Sequence, residues 1–328
     1  MRVFITGCTG YVGRHLAKHL LENGHQIRAL VRKSSDAKRV KDLGIEVCVG
    51  DVTEPNTLYQ IAEDIDVVFH LACIFLGPDY EKVVVEGTKN VINAFKDSRI
   101  KSFVFSSFSP VYGDATKELF FRENMVCHPT FKEAQCKLQA EEQLLKAYRN
   151  YGFPAVVLRI PSIYGGIQSH FETIFIDRIK SGKMVIFGRG NNKNSYVHID
   201  DVVRALILAA TNENAVGEVF NIAGGDAATV NELCSLISKE VESKMPKHIP
   251  IWAAYIISGI ASLSARLQGK RSPLPISLIK LLILNGVLDI GKSNKILGYN
   301  PKYKKTLEGV RQSHFTRERY DENQERKT

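Results

Sequence analysis

The sequence predicts an α/β fold, a doubly wound parallel sheet (Rossmann) with a smaller, mainly helical C-terminal substrate lobe. Three observations predict it. The first half alternates short β-branched runs with segments of helical period, the pattern of βαβ units. A glycine-rich turn, Thr6-Gly7-Cys8-Thr9-Gly10-Tyr11-Val12-Gly13, closes the first run and opens the first helix. After Arg159 the alternation stops and the loops lengthen, punctuated by Gly165-Gly166, Gly188 and Gly190.

Taken in order, Val3-Phe4-Ile5 is a strand and Tyr11 to Glu22 a helix. Gln26 to Val31 is a strand, followed by a charged helix near Ser35 to Leu43. Ile45 to Val49 is a strand, Pro55 to Ile61 a helix, and Asp66 to Leu71 a strand. Asp79 to Phe95 reads as a helix and Ser102 to Ser106 as a strand. A long helix covers Lys132 to Tyr151, and Ala155 to Arg159 is the next strand. Right-handed crossovers between parallel strands make such a series doubly wound. Glu218 to Ile222 returns to the main sheet, and from Asp226 onward the pattern is helices and loops. The expected organisation is a dinucleotide-binding unit over 1–165, rejoined by 196–223. A substrate lobe covers 166–195 and 224–312, and a charged tail covers 313–328.

A chain of 328 residues suits two domains or one large α/β domain with an elaborated end. Apolar residues make up 44% and charged residues 24%, which excludes intrinsic disorder and collagen-like repeats. The net charge of +9 attracts nucleic acid, anionic lipid or a phosphorylated ligand. With no run of five like charges and no interleaving of basic and aromatic residues, nucleic acid is not expected as a partner. Cys8, Cys48, Cys73, Cys127, Cys136 and Cys234 form no C-x-x-C pair, and they read as reduced thiols in a cytoplasmic protein with no metal site. No signal peptide is read at the start, and no stretch reaches the 18 or so uncharged apolar residues of a membrane span.

The glycine turn carries the first chemistry. Gly7 allows the tight turn, Gly10 lets a pyrophosphate approach the backbone, and Gly13 lets helix and strand pack closely. The N–H groups around Thr9, Tyr11 and Val12 and the positive end of the helix dipole then face the phosphates. NAD sites usually place an acid at the end of the second strand to hold the ribose 2′-hydroxyl. Here Arg32 and Lys33 stand there, two cations that suit a 2′-phosphate, so NADP(H) is favoured over NAD(H). The plainer reading is that they begin a solvated helix. Asp51, with Val52 after the third strand, can accept from an adenine amino group or simply close a turn.

These segments resemble the extended short-chain dehydrogenase/reductases, the NAD(P)-dependent epimerase/dehydratase family. The resemblance runs through TGCTGYVG at 6–13, GDV at 50–52, HLA at 70–72 and EGTKNV at 86–91. It continues with FVFSSFSPVYG at 103–113, KLQAEE at 137–142, LRIPSIYG at 158–165, GRGNNKNSYVHIDDVVRA at 188–205 and GEVFNIAGG at 217–225. IPIW at 249–252 and LGYNP at 297–301 look closer to the sterol-dehydrogenase, dihydroflavonol-reductase and hopanoid-linked branch than to typical sugar-nucleotide epimerases. The resemblance implies a cofactor site that includes Leu71, Ala72, Ser106, Pro161 and Tyr164. It also implies a Tyr-x-x-x-Lys pair and a nearby Ser or Thr that exchange a proton with the substrate oxygen. Lys137 stands at the lysine position, holding the ribose. The tyrosine position is Glu133, the usual preceding serine is Cys136, the Ser or Thr position is Phe108, and a common asparagine is Val84. The active site is therefore atypical. Ser106, Ser107 or Ser109 can replace the hydroxyl if the loop is reshaped, and Tyr112, Tyr164 or Tyr196 can point into the pocket. Glu133 has three readings: a solvent-facing residue, an i, i+4 partner of Lys137, or a substituted general acid/base. In the family the helices that correspond to about 79–97 and 132–151 often pair, so the resemblance implies a possible homodimer.

On the substrate side, Asn194 to His198 with Asp200-Asp201 matches the segment that ties the lobe to the sheet. His198 reads as a structural hydrogen-bonding residue and Asp201 as one that caps or orients the following helix. Ile251 to Ala265 carries no charge, and Leu274 to Ile290 only Lys280 and Asp289. They read as a lobe packed on itself, a lid over an apolar substrate, or a peripheral membrane contact through 251–290 helped by Lys244, Lys247, Arg266, Lys270 and Arg271. Arg189, Asn191, Asn192, Lys193 and Asn194 keep a sugar nucleotide open as a ligand. The expected function is an NADP(H)-dependent oxidoreductase acting on a carbonyl, hydroxyl or enone of a small, apolar molecule. Catalysis would rest on Lys137 with Glu133 or Tyr112. The alternatives are a redox-neutral isomerase, epimerase or dehydratase acting on a nucleotide sugar, and a non-catalytic NADP(H)-binding protein.

Overall fold

Seven parallel strands carry the fold in the computed structural model. It describes the chain except residues 34–36, 59–60, 76, 114–119, 167–168, 269–271, 273 and 316–328, and the side chain at 39. The first half runs β1 (Arg2–Thr6), α1 (Tyr11–Glu22), β2 (Gln26–Val31), α2 (Ala37–Lys41), β3 (Glu46–Val49), β4 (Val67–His70), α3 (Gly87–Phe95) and β5 (Ser102–Phe108). It continues with β6 (Phe120–Phe121), α4 (Lys132–Tyr151), β7 (Ala155–Ile160) and β8 (Ser162–Tyr164). Then come α5 (Asp177–Lys180), β9 (Val185–Phe187), β10 (Lys193–His198), α6 (Ile199–Thr211), β11 (Val219–Asn221), β12 (Ala227–Thr229) and α7 (Val230–Glu240). The chain closes with β13 (Lys247–Ile249), α8 (Ile251–Leu267), α9 (Ile276–Ile283), β14 (Val287–Leu288), α10 (Gly291–Leu297) and α11 (Thr306–Phe315).

The main sheet has the order β11-β7-β5-β4-β1-β2-β3, a doubly wound Rossmann arrangement. From β1 the chain first builds outward to β3, then returns to the other side of β1 with β4. The strand ends at Thr6 and His70 therefore flank the crevice where such sheets bind ligands. Strand residues alternate between two cores. Val3, Ile5, Phe69 and Val104 pack with α1 and α6, whereas Phe4, Val68, Phe103 and Phe105 pack with α3 and α4. Burial on both faces is why these runs are continuously apolar rather than alternating.

Several boundaries differ from the expectation. The Pro55 helix is a single 3₁₀ turn, Pro55–Leu58, and the first positions of the helix near Ser35 lie outside the described residues, as do Lys270, Arg271 and 316–328 of the tail. The helix leading into α3 contains a π-turn over Lys82–Glu86. β5 runs two residues further than expected, which carries Phe108 to the open end of the sheet. The C-terminal part contains short strands as well as helices. β10 pairs with β8 and β12, β13 with β9, and β14 with β6. At two to six residues each, these strands are too short or too irregular to leave a period in the sequence. The cap of α6 is not Asp201. His198 Nδ1 accepts from the Asp200 N–H at 3.1 Å, and Asp201 instead accepts from Lys302 and Tyr303 N–H at 2.8 and 3.0 Å, pinning that loop to the sheet.

Candidate cofactor and substrate site

The glycine turn is built for close approach. Gly7 has φ +73°, and a Cβ there would sit 2.8–2.9 Å from the backbone of Leu71 and Ala72. A Cβ on Gly13 would lie 2.2 Å from the Gly7 carbonyl oxygen. A side chain at Gly7 would push the turn away from the segment after β4, and one at Gly13 would push α1 away from the turn. The N-cap of α1 is Gly10, without a side-chain cap and without an acid in the first turn. The helix end thus presents unsatisfied N–H groups and its positive dipole to the crevice, as a diphosphate requires. The residues present fit a dinucleotide.

A buried relay fixes this crevice. Thr6 Oγ1 accepts from the N–H groups of Leu71 and Ala72 at 3.2 and 3.1 Å, so its own proton goes to His70 Nδ1 at 2.7 Å. The Nε2–H of His70 then donates to Thr88 Oγ1 at 3.0 Å, and Thr88 donates to the Val84 carbonyl. The pattern requires a neutral imidazole. Complete burial, with Lys137 nearby, pushes the His70 pKa down to about 3.

A cavity of about 390 Å³ opens along the strand ends. Nine of the residues assigned from sequence to the cofactor or to catalysis line it, Gly7, Gly10, Tyr11, Val12, Gly13, Leu71, Ser106, Lys137 and Pro161, and so do Ser107, Ser109 and Tyr196, named as alternative hydroxyl groups. The Tyr11 hydroxyl donates to the Gly165 carbonyl and ties the glycine turn to the segment after β8. Thr9 and Ala72 flank the wall without being part of it. Arg32 and Lys33 are exposed just past β2. Asp51 Oδ1 accepts from the N–H and hydroxyl of Thr53, both at 2.9 Å, and Val52 is buried beneath Gly87.

Lys137 Nζ donates to the Ser106 carbonyl at 2.7 Å and lies 4.6 Å from the centre of the Phe105 ring. It makes no ion pair with Glu133 among the described residues, which overturns the i, i+4 pairing. Glu133 is not solvent-facing either. It is 7% exposed in the first turn of α4, and its Oε2 is buried without a hydrogen-bond partner among the described residues. It stands behind the cavity wall rather than on it.

Two tyrosines are corrected. Tyr112 is 1% exposed and points away from the cavity. Its hydroxyl donates to Asn221 Oδ1 at 2.7 Å, its ring stacks on Phe121 at 4.8 Å, and Arg159 lies over it at 4.7 Å. Arg159 forms a two-pronged, fully buried pair with Glu141, which also accepts from Ser107. Tyr112 thus belongs to the polar floor under the site. Tyr164 packs among Phe171 and His198 with its hydroxyl against Gly309, and it does not face the cavity.

The phenol that lines the cavity beside Tyr11 and Tyr196 is Tyr80, which the sequence reading passed over. Its spacing from Val84 and Val91 reads as the apolar face of a helix, and that pattern hides a polar role. The Cys73 thiol donates to its hydroxyl at 3.5 Å. Burial, then Cys73, then the Glu133 carboxylate hold the Tyr80 proton on far above the ordinary phenol range.

The substrate end is apolar. Phe75, Phe108, Phe121, Phe131, Phe171 and Phe175 line it with Leu281, Leu282 and Leu284, and Phe108 meets Phe131 edge-on at 6.3 Å. The amides expected to serve a sugar nucleotide are used internally. Asn192 Nδ2 donates to the carbonyls of Leu282 and Leu284, Asn194 Nδ2 to Leu284, and Asn191 Oδ1 accepts from Asn231. Arg189 and Lys193 are not on the wall.

Comparison with known proteins agrees with the fold and the glycine turn. Residues 3–223 match the model of the NAD dependent epimerase/dehydratase family. The chain is 29% identical over 327 residues, 95% of this chain and 96% of the relative, to a 4-hydroxy-2-methyl-3-oxo-4-farnesyl-3,4-dihydroquinoline-1-oxide ketoreductase of Stigmatella aurantiaca. It is 28% identical over 326 residues, 92% of this chain and 87% of the relative, to a 3-beta-hydroxysteroid dehydrogenase of Mycolicibacterium neoaurum. Among solved structures, UDP-glucose 4-epimerase of Thermotoga maritima with UDP-glucose superposes with a TM-score of 0.75 at 26% identity, covering 95% of this chain and 99% of the epimerase.

Proposed function

Because the chain belongs to the NAD dependent epimerase/dehydratase family, we propose that it is an NADP(H)-linked reductase or dehydrogenase for the carbonyl or carbinol group of an apolar molecule. One observation carries this reading: a single cavity joins the glycine turn and Lys137 to a wall of phenylalanine and leucine. The ketoreductase and hydroxysteroid dehydrogenase relatives support a carbonyl or hydroxyl as the reacting group.

The bound nicotinamide would supply or accept the hydride. The N–H groups of Tyr11 and Val12 would hold the diphosphate, Arg32 and Lys33 the 2′-phosphate, and Asp51 the adenine amino group. Lys137, anchored on the Ser106 carbonyl, would orient the ribose. Tyr80, the protonated phenol on the wall, would give its proton to the substrate oxygen during reduction. Glu133, buried behind the wall, would act as a positioning residue for the Tyr80 phenol. The phenylalanine wall excludes water from the reacting carbon.

The test is reduced-nicotinamide oxidation by the purified protein with a panel of steroidal and prenylated ketones, run beside UDP-glucose epimerisation. The expected result is turnover of ketones with NADPH preferred. Epimerisation of the sugar nucleotide with no ketone turnover would overturn the reading.

A further inference from the structure

Helix α8 is packed inside out for a helix facing water. It buries small residues, Ala254, Ser258 and Ala265; Ala254 packs with Ile279 of α9, and Ser258 Oγ donates to the Leu274 carbonyl at 2.8 Å. Its large apolar residues face outward. Trp252 is 69% exposed, Ile256 55%, Ile260 66%, Leu263 62% and Leu267 82%. At about 100° per residue these five fall within about 80° of arc, one continuous stripe along the helix. A contiguous apolar stripe of this kind marks an interaction surface.

Charge selects what covers it. Between Glu242 and Asp289 the sequence has no acidic residue, while Lys244, Lys247, Arg266, Lys270, Arg271 and Lys280 are basic. Lys244 and Lys247 are exposed just ahead of α8, and Arg266 is exposed in its last turn. A second copy of the chain seated on this stripe would set like charges against like. An anionic bilayer complements both features, taking the apolar stripe into the headgroup boundary and the cations onto lipid phosphates. No helix among the described residues is long and apolar enough to cross a membrane, so α8 would lie in the interface plane.

We infer that α8 is a membrane-docking helix that seats the protein on anionic lipid surfaces. The placement is useful because α9, packed beneath α8, contributes Leu281 and Leu282 to the cavity wall. Docking thus holds the apolar end of the cavity close to a lipid phase. The inference rests on the surface and stands whether or not the proposed reaction is correct.

Trp252 is the one tryptophan of the chain, so its fluorescence reports on α8 alone. The full chain is mixed with vesicles of phosphatidylcholine alone, or of about three parts phosphatidylcholine to one part phosphatidylglycerol. With anionic vesicles the protein should float with the lipid and the Trp252 emission should shift to the blue. Binding should weaken on adding salt. Ile256→Ser/Ile260→Ser/Leu263→Ser should reduce binding by about tenfold or more with no change in thermal unfolding, because these side chains are already exposed. Absence of both flotation and blue shift would overturn the inference. So would a lipid-independent blue shift that tracks protein concentration in sedimentation, which would mean that a second copy covers the stripe.

Discussion

At the scale of single residues, the site departs from what motif alignment predicts, and the departures have physical causes. Lys137 was legible because KLQAEE at 137–142 resembles the segment that carries the family's lysine. Glu133 was legible as a substitution but not in its placement, since the sequence does not say which way the first turn of a helix points. Tyr112 misled because the sequence places it after β5 yet cannot show that Asn221, more than a hundred positions later, takes its hydroxyl. The contrast makes a direct prediction. Tyr80→Phe removes the cavity phenol and should lower ketone turnover by about 10²–10⁴-fold with cofactor binding kept, as for a lost general acid. Tyr112→Phe should leave the chemical step within a few-fold and cost about 1–2 kcal/mol of stability, by leaving the buried Asn221 Oδ1 unpaired. Single-turnover rates and urea unfolding of the two variants separate the cases. Equal rates would remove Tyr80 from the chemistry. Cofactor choice is also a residue-scale matter. Arg32→Ala/Lys33→Ala should weaken NADPH by about 10–100-fold and barely change NADH, measured by fluorescence titration.

At the scale of elements, the sequence was most informative where periodicity and backbone demands coincide. α1, β2 and α4 fall at their expected boundaries because each is bounded by turn-forming residues, Gly152 with φ +72° closing α4 among them. Apart from β11, the two- and three-residue strands of the C-terminal part were not legible, because their pairing is set by distant partners, as where the Gly286 N–H donates to the Lys193 carbonyl, rather than by local pattern. The turn joining β1 to α1 is the most constrained element. Gly13→Ala adds a Cβ where the Gly7 carbonyl oxygen is 2.2 Å away, so helix and strand must separate. The diphosphate cradle widens with them. The expected outcome is loss of dinucleotide binding by about a hundredfold or more at modest cost in unfolding temperature, read by calorimetry with and without NADPH. Gly24→Ala, in open space though at positive φ, serves as the control: it should cost stability through backbone strain and leave binding intact.

At the scale of the whole molecule, the switch point of the sheet is held by one neutral imidazole. His70 links β1, the turn after β4 and α3, and its pKa falls from an ordinary 6.5 to about 3 through burial. A base whose native pKa is depressed binds protons more readily once unfolded. Its stabilising contribution is therefore fully present above about pH 6.5 and is lost as the pH falls toward 3. Within that window it should remove about 1.4 kcal/mol per pH unit from the unfolding free energy. His15 and His170, both held low by burial, act in the same direction. The difference between the native chain and His70→Gln isolates the residue, since Gln cannot titrate. The variant should be less stable at pH 7, where the relay through Thr6 and Thr88 is weakened, yet lose stability more slowly on acidification. Urea unfolding from pH 7 to pH 4 measures both slopes. Parallel slopes would mean that His70 takes up its proton inside the folded protein, and the one-way order of hydrogen bonds from Thr6 to Val84 would then be wrong.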